Sequence, residues 1–167
     1  MHEDRRRRWS LTAAILKACP WTTAILFDQP AVIEGAKQRL HTKGVADRCR
    51  CLAGDFFESV PEGGDAYVLK DIVHDWDDDR AMTILRNCRR VMAHAPAVTT
   101  RVLVVEKVIP PGNAPFPGKL TDITMSRQWG RERTAKEYEP LLTGAGLALM
   151  RIVPTSSPAS VIEAVPA

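Results

Sequence analysis

No run of apolar residues in this chain approaches the roughly 18–20 positions needed to cross a bilayer, which argues against a membrane-spanning helix. Cysteine is scarce and poorly spaced for a metal. Cys19, Cys49, Cys51 and Cys88 form no C-x-x-C pair, and no histidine follows at zinc-finger distance. Buried, reduced thiols are therefore the expectation, with no metal site. Internal repeats and low-complexity tracts are also missing. The opening stretch MHEDRRRRWS carries charge but no apolar core directly behind it, so no export signal is read and a cytoplasmic protein is the default. Those ten residues contain no glycine and no apolar strand.

What is present is ordinary for a globular protein. The 167 residues are 45% apolar and 26% charged, enough for one domain with a single sizeable core. The net charge is +3, and residues 1–8 supply +2 of it, from four arginines set against Glu3 and Asp4. An arginine run can track phosphates, but no aromatic interleaving and no reading helix accompany this one. A solvated basic tail over residues 1–10 is expected ahead of a domain spanning 11–167, and a nucleic-acid partner is not.

Helix-like and strand-like patterns alternate along the chain. Leu11–Cys19 is rich in helix formers and stops at Pro20. Thr22–Asp28 is a short apolar run ending in an acid, and an amphipathic helix follows Pro30 with Gly44 as its C-cap. RCRCLAGD alternates at period two, placing Cys49 and Cys51 on one side of a strand. DAYVLKDIV is another strand, after which Asp77 or Asp78 caps a helix to about Met92. RVLVVEKVIP is the clearest strand. A Pro/Gly loop follows over Pro110–Lys119, then a weak helix in LTDITMSRQW. TAKEYEPLLTGAG opens with a capping box, Thr134 with Glu137, and LALMRIVPT and ASVIEAVP close the chain as a hairpin.

This order predicts an α/β layered sheet with helices on both faces, mostly parallel, with an antiparallel hairpin at the C-terminus. In such sheets ligands gather at the carboxyl ends of the parallel strands. Asp28, Asp55, His74 and Glu106 all fall at or just after the ends of successive predicted strands. His74 sits in LKDIVHDWDDDR, between a strand end and an acidic helix start, where it is either a site residue or a plain loop histidine. Glu106, inside VLVVEKVIP, would be costly to bury without a partner, which favours a site role.

The segments LFDQP, GDFFESVPEGGDAYVLKDIVHDWDDDRAMTILRNCRRVM, LVVEKVIPPG and GRERTAKEYEPLLTGAGL together resemble the S-adenosylmethionine (SAM)-dependent O-methyltransferases that act on small hydroxylated aromatics and polyketides. The resemblance runs from about Leu11 to the C-terminus. It implies a class I methyltransferase-like, Rossmann-like fold and covers only the cofactor-binding half of such an enzyme. By resemblance His74 of HDW is the catalytic base, and Glu106 and Glu132 flank and orient it; read alone, Glu132 could be a plain exposed acid. The resemblance places Asp28 on the cofactor ribose, although an acid capping the helix at Ala31 fits the residue equally. Asp55 and Phe56 fall on the adenine, with Phe57 in the core, and Lys70 joins the cofactor shell. Trp76, Met125 and Trp129 would line the substrate site or serve as core.

The family also opens this domain with a strand and a glycine-rich loop that binds the methionine part of the cofactor. Residues 1–10 do not match either, and the family's helical dimerisation domain has no counterpart. In the family that strand lies centrally, between those ending at Asp28 and near Lys70. Without it, two rows of backbone groups lose ladder partners unless their strands pair directly. The expectation that follows is weak or no SAM binding by the chain as written. Two functions are thus carried forward: methyl transfer from SAM to a hydroxyl of a small aromatic or polyketide-type substrate, or an inactive remnant serving as a binding or interaction module.

Overall fold

The computed structural model describes residues 8–92, 100–112 and 130–167. The chain divides into two compact units, Met1–Pro61 and Glu62–Ala167.

The first unit contains helix α1 (Arg8–Ala18), strand β1 (Ala24–Asp28), helix α2 (Pro30–Thr42), a 3₁₀ turn (Ala46–Arg48) and strand β2 (Cys49–Ala53). Helix α1 begins at Arg8, inside the stretch expected as a tail, and ends just before Pro20. Pro30 occupies the first turn of α2, where its missing N–H would have had no helical partner. Gly44, at φ 69°, adopts the left-handed conformation that turns the chain out of that helix. β1 and β2 pair in parallel, with Ala24 opposite Cys49 and Asp28 opposite Ala53. Leu16 of α1, Leu26 of β1 and Ile33, Ala36 and Leu40 of α2 form the core with Val45 and Cys49. All four cysteines are free thiols, Cys49 and Cys88 buried and the other two partly so.

The second unit is a five-stranded mixed sheet. Its order is β3 (Ala66–Lys70), β4 (Arg101–Ile109), β7 (Ala159–Pro166) and β6 (Leu147–Pro154), with the two-residue β5 (Arg133–Thr134) pairing to the end of β4. β3–β4 and β4–β5 are parallel, while β4–β7 and β6–β7 are antiparallel, the last being the expected closing hairpin. Helix α3 (Asp78–Met92) buries Ala81, Ile84, Leu85, Cys88 and Met92, the three- and four-residue spacing of a single apolar stripe. Helix α4 (Ala135–Gly144) starts at the predicted capping box, Thr134 N–H donating to the Glu137 carboxylate at 2.8 Å. The strand β5 was not expected from the sequence. The helix expected over LTDITMSRQW lies outside the described residues.

Among the described residues β1 ladders only with β2, and β3 only with β4. No helix among the described residues is long and apolar enough to cross a membrane. No cluster of three or more His, Cys, Asp or Glu side chains suited to a metal occurs among them.

Arg48 staples the first unit. Its guanidinium donates to the carbonyls of Leu16 (2.7 Å), in the last turn of α1, and of Cys19 (3.2 Å), Pro20 (3.1 Å) and Thr22 (3.1 Å), in the segment that follows it. Arg48→Ala should destabilise this unit by about 2 kcal/mol, the worth of hydrogen bonds to a charged group. Urea unfolding followed by circular dichroism checks the value.

Candidate active site

The register of β3 against β4 builds the site. Lys70, the last residue of β3, lies opposite Val105, so the chain leaving β3 passes directly over Glu106. Asp71 turns it sharply at φ 50°, a left-handed conformation that aspartate tolerates better than most residues. Val73–Asp75 then form a 3₁₀ turn that presents His74, and α3 begins at Asp78.

Alternation along β4 puts Glu106 on the same buried side as Val102 and Val104, and it is fully buried. One carboxylate oxygen, Oε1, accepts three successive backbone N–H groups: Ile72 at 3.1 Å, Val73 at 2.7 Å and His74 at 3.1 Å. The other, Oε2, accepts the Tyr138 hydroxyl of α4 at 2.8 Å. Burial pushes the Glu106 pKa above the usual carboxylate range, opposed by the charge of His74, the tyrosine hydroxyl and the backbone donors. Every one of these contacts is a donor, so the turn is built to hold a carboxylate. Burial, followed by the charge of Glu106, raises the Tyr138 pKa and keeps its proton available for donation. The expectation that a buried Glu106 must have partners is met, but they are the backbone of the turn and a tyrosine rather than the imidazole.

Glu132 takes the imidazole. Its side chain is buried, which removes the exposed-acid reading, and Oε1 lies 3.3 Å from His74 Nδ1. Lys107 Nζ lies 3.6 Å from the same oxygen. On the other ring nitrogen, Nε2 is 3.4 Å from Asp75 Oδ1, and Asp75 is partly exposed. His74 itself is 3% exposed, so it is no surface loop histidine. Burial alone would lower its pKa. The Glu132 hydrogen bond and the charges of Glu106, Glu132 and Asp75 outweigh that effect and push it up to about 9.

Three further residues lock the turn, and the sequence reading assigned none of them. Arg133 is fully buried, with Nη1 donating to the Val73 carbonyl at 3.2 Å and Nη2 to the Trp76 carbonyl at 3.0 Å. Arg131 N–H donates to the His74 carbonyl at 2.9 Å. Gly130 passes so close that a Cβ there would sit 2.4 Å from the His74 carbonyl oxygen and 3.2 Å from Asp75 backbone. The visible signal was a buried arginine beside a glutamate in GRERT, readable only once the strand pairing was known.

The remaining candidates are less uniform. Asp28 is buried at the carboxyl end of β1, and its Oδ1 accepts the Gln29 N–H at 2.8 Å; α2 is not capped by it at Ala31. The parallel register brings Asp55, just beyond β2, to the same sheet edge as Asp28. Asp55 is exposed and accepts the Phe57 N–H at 2.8 Å. Phe56 and Phe57 are both half-buried, with ring centroids 5.0 Å apart, so Phe57 is not the core residue expected. A Cβ at Gly54, just before Asp55, would meet the Phe27 ring at 2.5 Å, so that ring would have to shift. Lys70 is ion-paired with Asp71. Trp76 is half-buried with the Arg80 guanidinium 5.2 Å over its ring, so one face already carries a cation. Met125 and Trp129 lie outside the described residues.

The alternation of helices and strands with a closing antiparallel hairpin is that of a class I methyltransferase fold. Residues 9–148 match the model of the O-methyltransferase domain family, and the chain belongs to that family. It is 48% identical over 158 residues to phenazine O-methyltransferase of Lysobacter antibioticus, covering 93% of this chain and 45% of that protein. The solved structure of a mitomycin 7-O-methyltransferase superposes with a TM-score of 0.87 at 36% identity, over 97% of this chain and 46% of the other. An O-methyltransferase from neocarzinostatin biosynthesis, solved with S-adenosylmethionine and 2-hydroxy-5-methyl naphthoic acid, gives 0.83 at 31% identity, over 94% and 45%. The chain thus spans a little under half the length of the relatives it matches.

Two outcomes follow from this geometry. Because the folded pKa of His74, about 9, exceeds its ordinary 6.5, the group adds stability that is fully present below pH 6.5 and lost as pH rises through 9. Glu132→Gln should bring the imidazole midpoint down toward 6.5 and flatten that pH dependence, read from histidine NMR titration and from thermal unfolding at pH 6 and pH 9.5. Gly130→Ala should destabilise the second unit by about 1–3 kcal/mol, since backbone rather than a flexible side chain must give way. Chemical denaturation measures it.

Proposed function

We propose that this chain is the methyl-transferring half of an enzyme that methylates a hydroxyl on a small aromatic or polyketide-type substrate. The observation that carries the proposal is the buried His74 with Glu132 on Nδ1, in a turn held by Glu106 at the carboxyl end of the sheet. Residues 11–167 form the methyltransferase domain on this reading, preceded by a short basic tail. Family membership favours the enzyme over the inactive remnant. The phenazine and mitomycin relatives and the naphthoic acid in the neocarzinostatin enzyme support an aromatic acceptor.

The residues present suit the nucleoside half of S-adenosylmethionine. Asp28 is an acid at a strand end, the chemistry needed to accept from both hydroxyls of a ribose. Asp55 at the same edge can accept from an exocyclic amine, with Phe56 beside it for the ring. When bound, the cofactor supplies an electrophilic methyl group.

His74 acts as the general base in this scheme. A phenol of pKa near 10 is a poor nucleophile until its proton leaves, and neutral imidazole can take that proton as attack begins. Glu132 on Nδ1 fixes the tautomer and leaves Nε2 to receive the proton. The same carboxylates that raise the pKa stabilise the imidazolium that forms. A hydroxyl acceptor explains such a base, because its proton must be removed, whereas a neutral amine attacks through its free lone pair. Trp76, Met125 and Trp129 are assigned to the substrate side.

His74→Gln should lower kcat by about 10²–10⁴-fold, the usual share of a general base, with little change in KM. With wild type, kcat/KM should climb tenfold per pH unit until it levels near 9, and the variant should lose that climb. A variant that keeps the wild-type rate and slope would remove His74 from the chemistry.

A further inference from the structure

We infer that Arg133 is a positioning residue for His74: its buried guanidinium holds the backbone carbonyls at both ends of the turn and so fixes where the imidazole points. The inference rests on the reading of His74 as the base.

Burying a guanidinium is costly unless its donors are used in good geometry. Arg133 is fully buried, yet the carboxylate it meets, Asp78, has a side chain that is 51% exposed. An arginine serving only that ion pair could remain at the surface. Instead Nε and Nη2 hold Asp78 Oδ1 at 3.0 and 2.8 Å, which sets the guanidinium plane against the start of α3. The remaining donors reach inward to Val73 and Trp76, the residues bracketing His74 and Asp75.

The turn is therefore gripped by opposite charges on its two kinds of backbone group. Glu106 takes the N–H groups of residues 72–74 from β4, and Arg133 takes carbonyls from β5. Glu132, the preceding residue, accepts from the ring itself. One stretch of backbone, pinned where Arg133 lies opposite Val108, thus delivers both the clamp on the turn and the acceptor for the imidazole. Lysine cannot copy this, because its donors radiate from a single atom and do not form a planar fork spanning two carbonyls and a carboxylate.

The test is Arg133→Lys in the full chain, which keeps the charge and removes the fork. The acids facing His74 are Glu132, Glu106 and Asp75, with Lys107 against Glu132, and all remain in the variant. The expected result is a folded protein whose His74 titration midpoint falls by at least about one pH unit, as the ring drifts from Glu132. A merely structural role would lower the urea midpoint and leave the titration unchanged; that outcome overturns the inference. Should the variant not fold, the wild-type guanidinium decides. Separately resolved Arg133 Nη protons, from rotation slowed by the carbonyl bonds, support the inference, and averaged signals from a freely turning group overturn it. The reading of His74 as base fails separately, if His74→Gln retains full turnover while Arg133→Lys still shifts the titration.

Discussion

A single buried carboxylate underlies the second unit. Glu106 Oε1 gathers the N–H groups of Ile72, Val73 and His74, three donors that a turn this tight cannot satisfy within itself. Removing that oxygen would leave three backbone groups unpaired in a dry interior, at a cost of about 1–3 kcal/mol each. Its position follows from elementary rules. Strand alternation sends residue 106 to the same side as Val102 and Val104, and the parallel register stops β3 one residue short of it. Tyr138 on the second oxygen ties α4 to the same point. Strand, turn and helix are fixed together by one charge.

The electrostatics then follow from the packing. Three acids surround one imidazole, and their attraction for its proton exceeds the penalty of burying the cation. The result is a histidine that is a strong base once neutral but is largely protonated at pH 7. That balance suits an acceptor whose own proton is held tightly, such as a phenol. Lys107 lies against Glu132, so a cation opposes one of these acids.

Much of this was legible in the sequence, for identifiable reasons. Regular helix–strand alternation, Pro30 at a helix start, the Thr134–Glu137 box and the closing hairpin are local signals, and all appear in the fold. His74 could be placed just beyond a strand because DAYVLKDIV is an apolar run, whereas Glu106, expected at a strand end, lies inside β4, three residues before Ile109. Glu132 and Arg133 could not be so placed. Arg133 opens a strand of two residues with no periodicity and Glu132 lies just before it, and their contacts reach across 55 to 60 positions of chain. Gly130 was equally silent, since only the proximity of the His74 carbonyl explains it. The resemblance implied only that Glu106 and Glu132 both flank and orient the base. It missed that one carboxylate can orient a histidine through the backbone while another acts on the imidazole.

Amide hydrogen exchange at Ile72, Val73 and His74 probes the central claim most directly. If Glu106 holds these three N–H groups, they should exchange as slowly as the core amides of β4, at rates set by opening of the whole unit. Exchange at the rate of an unprotected loop, with β4 still protected, would contradict the account.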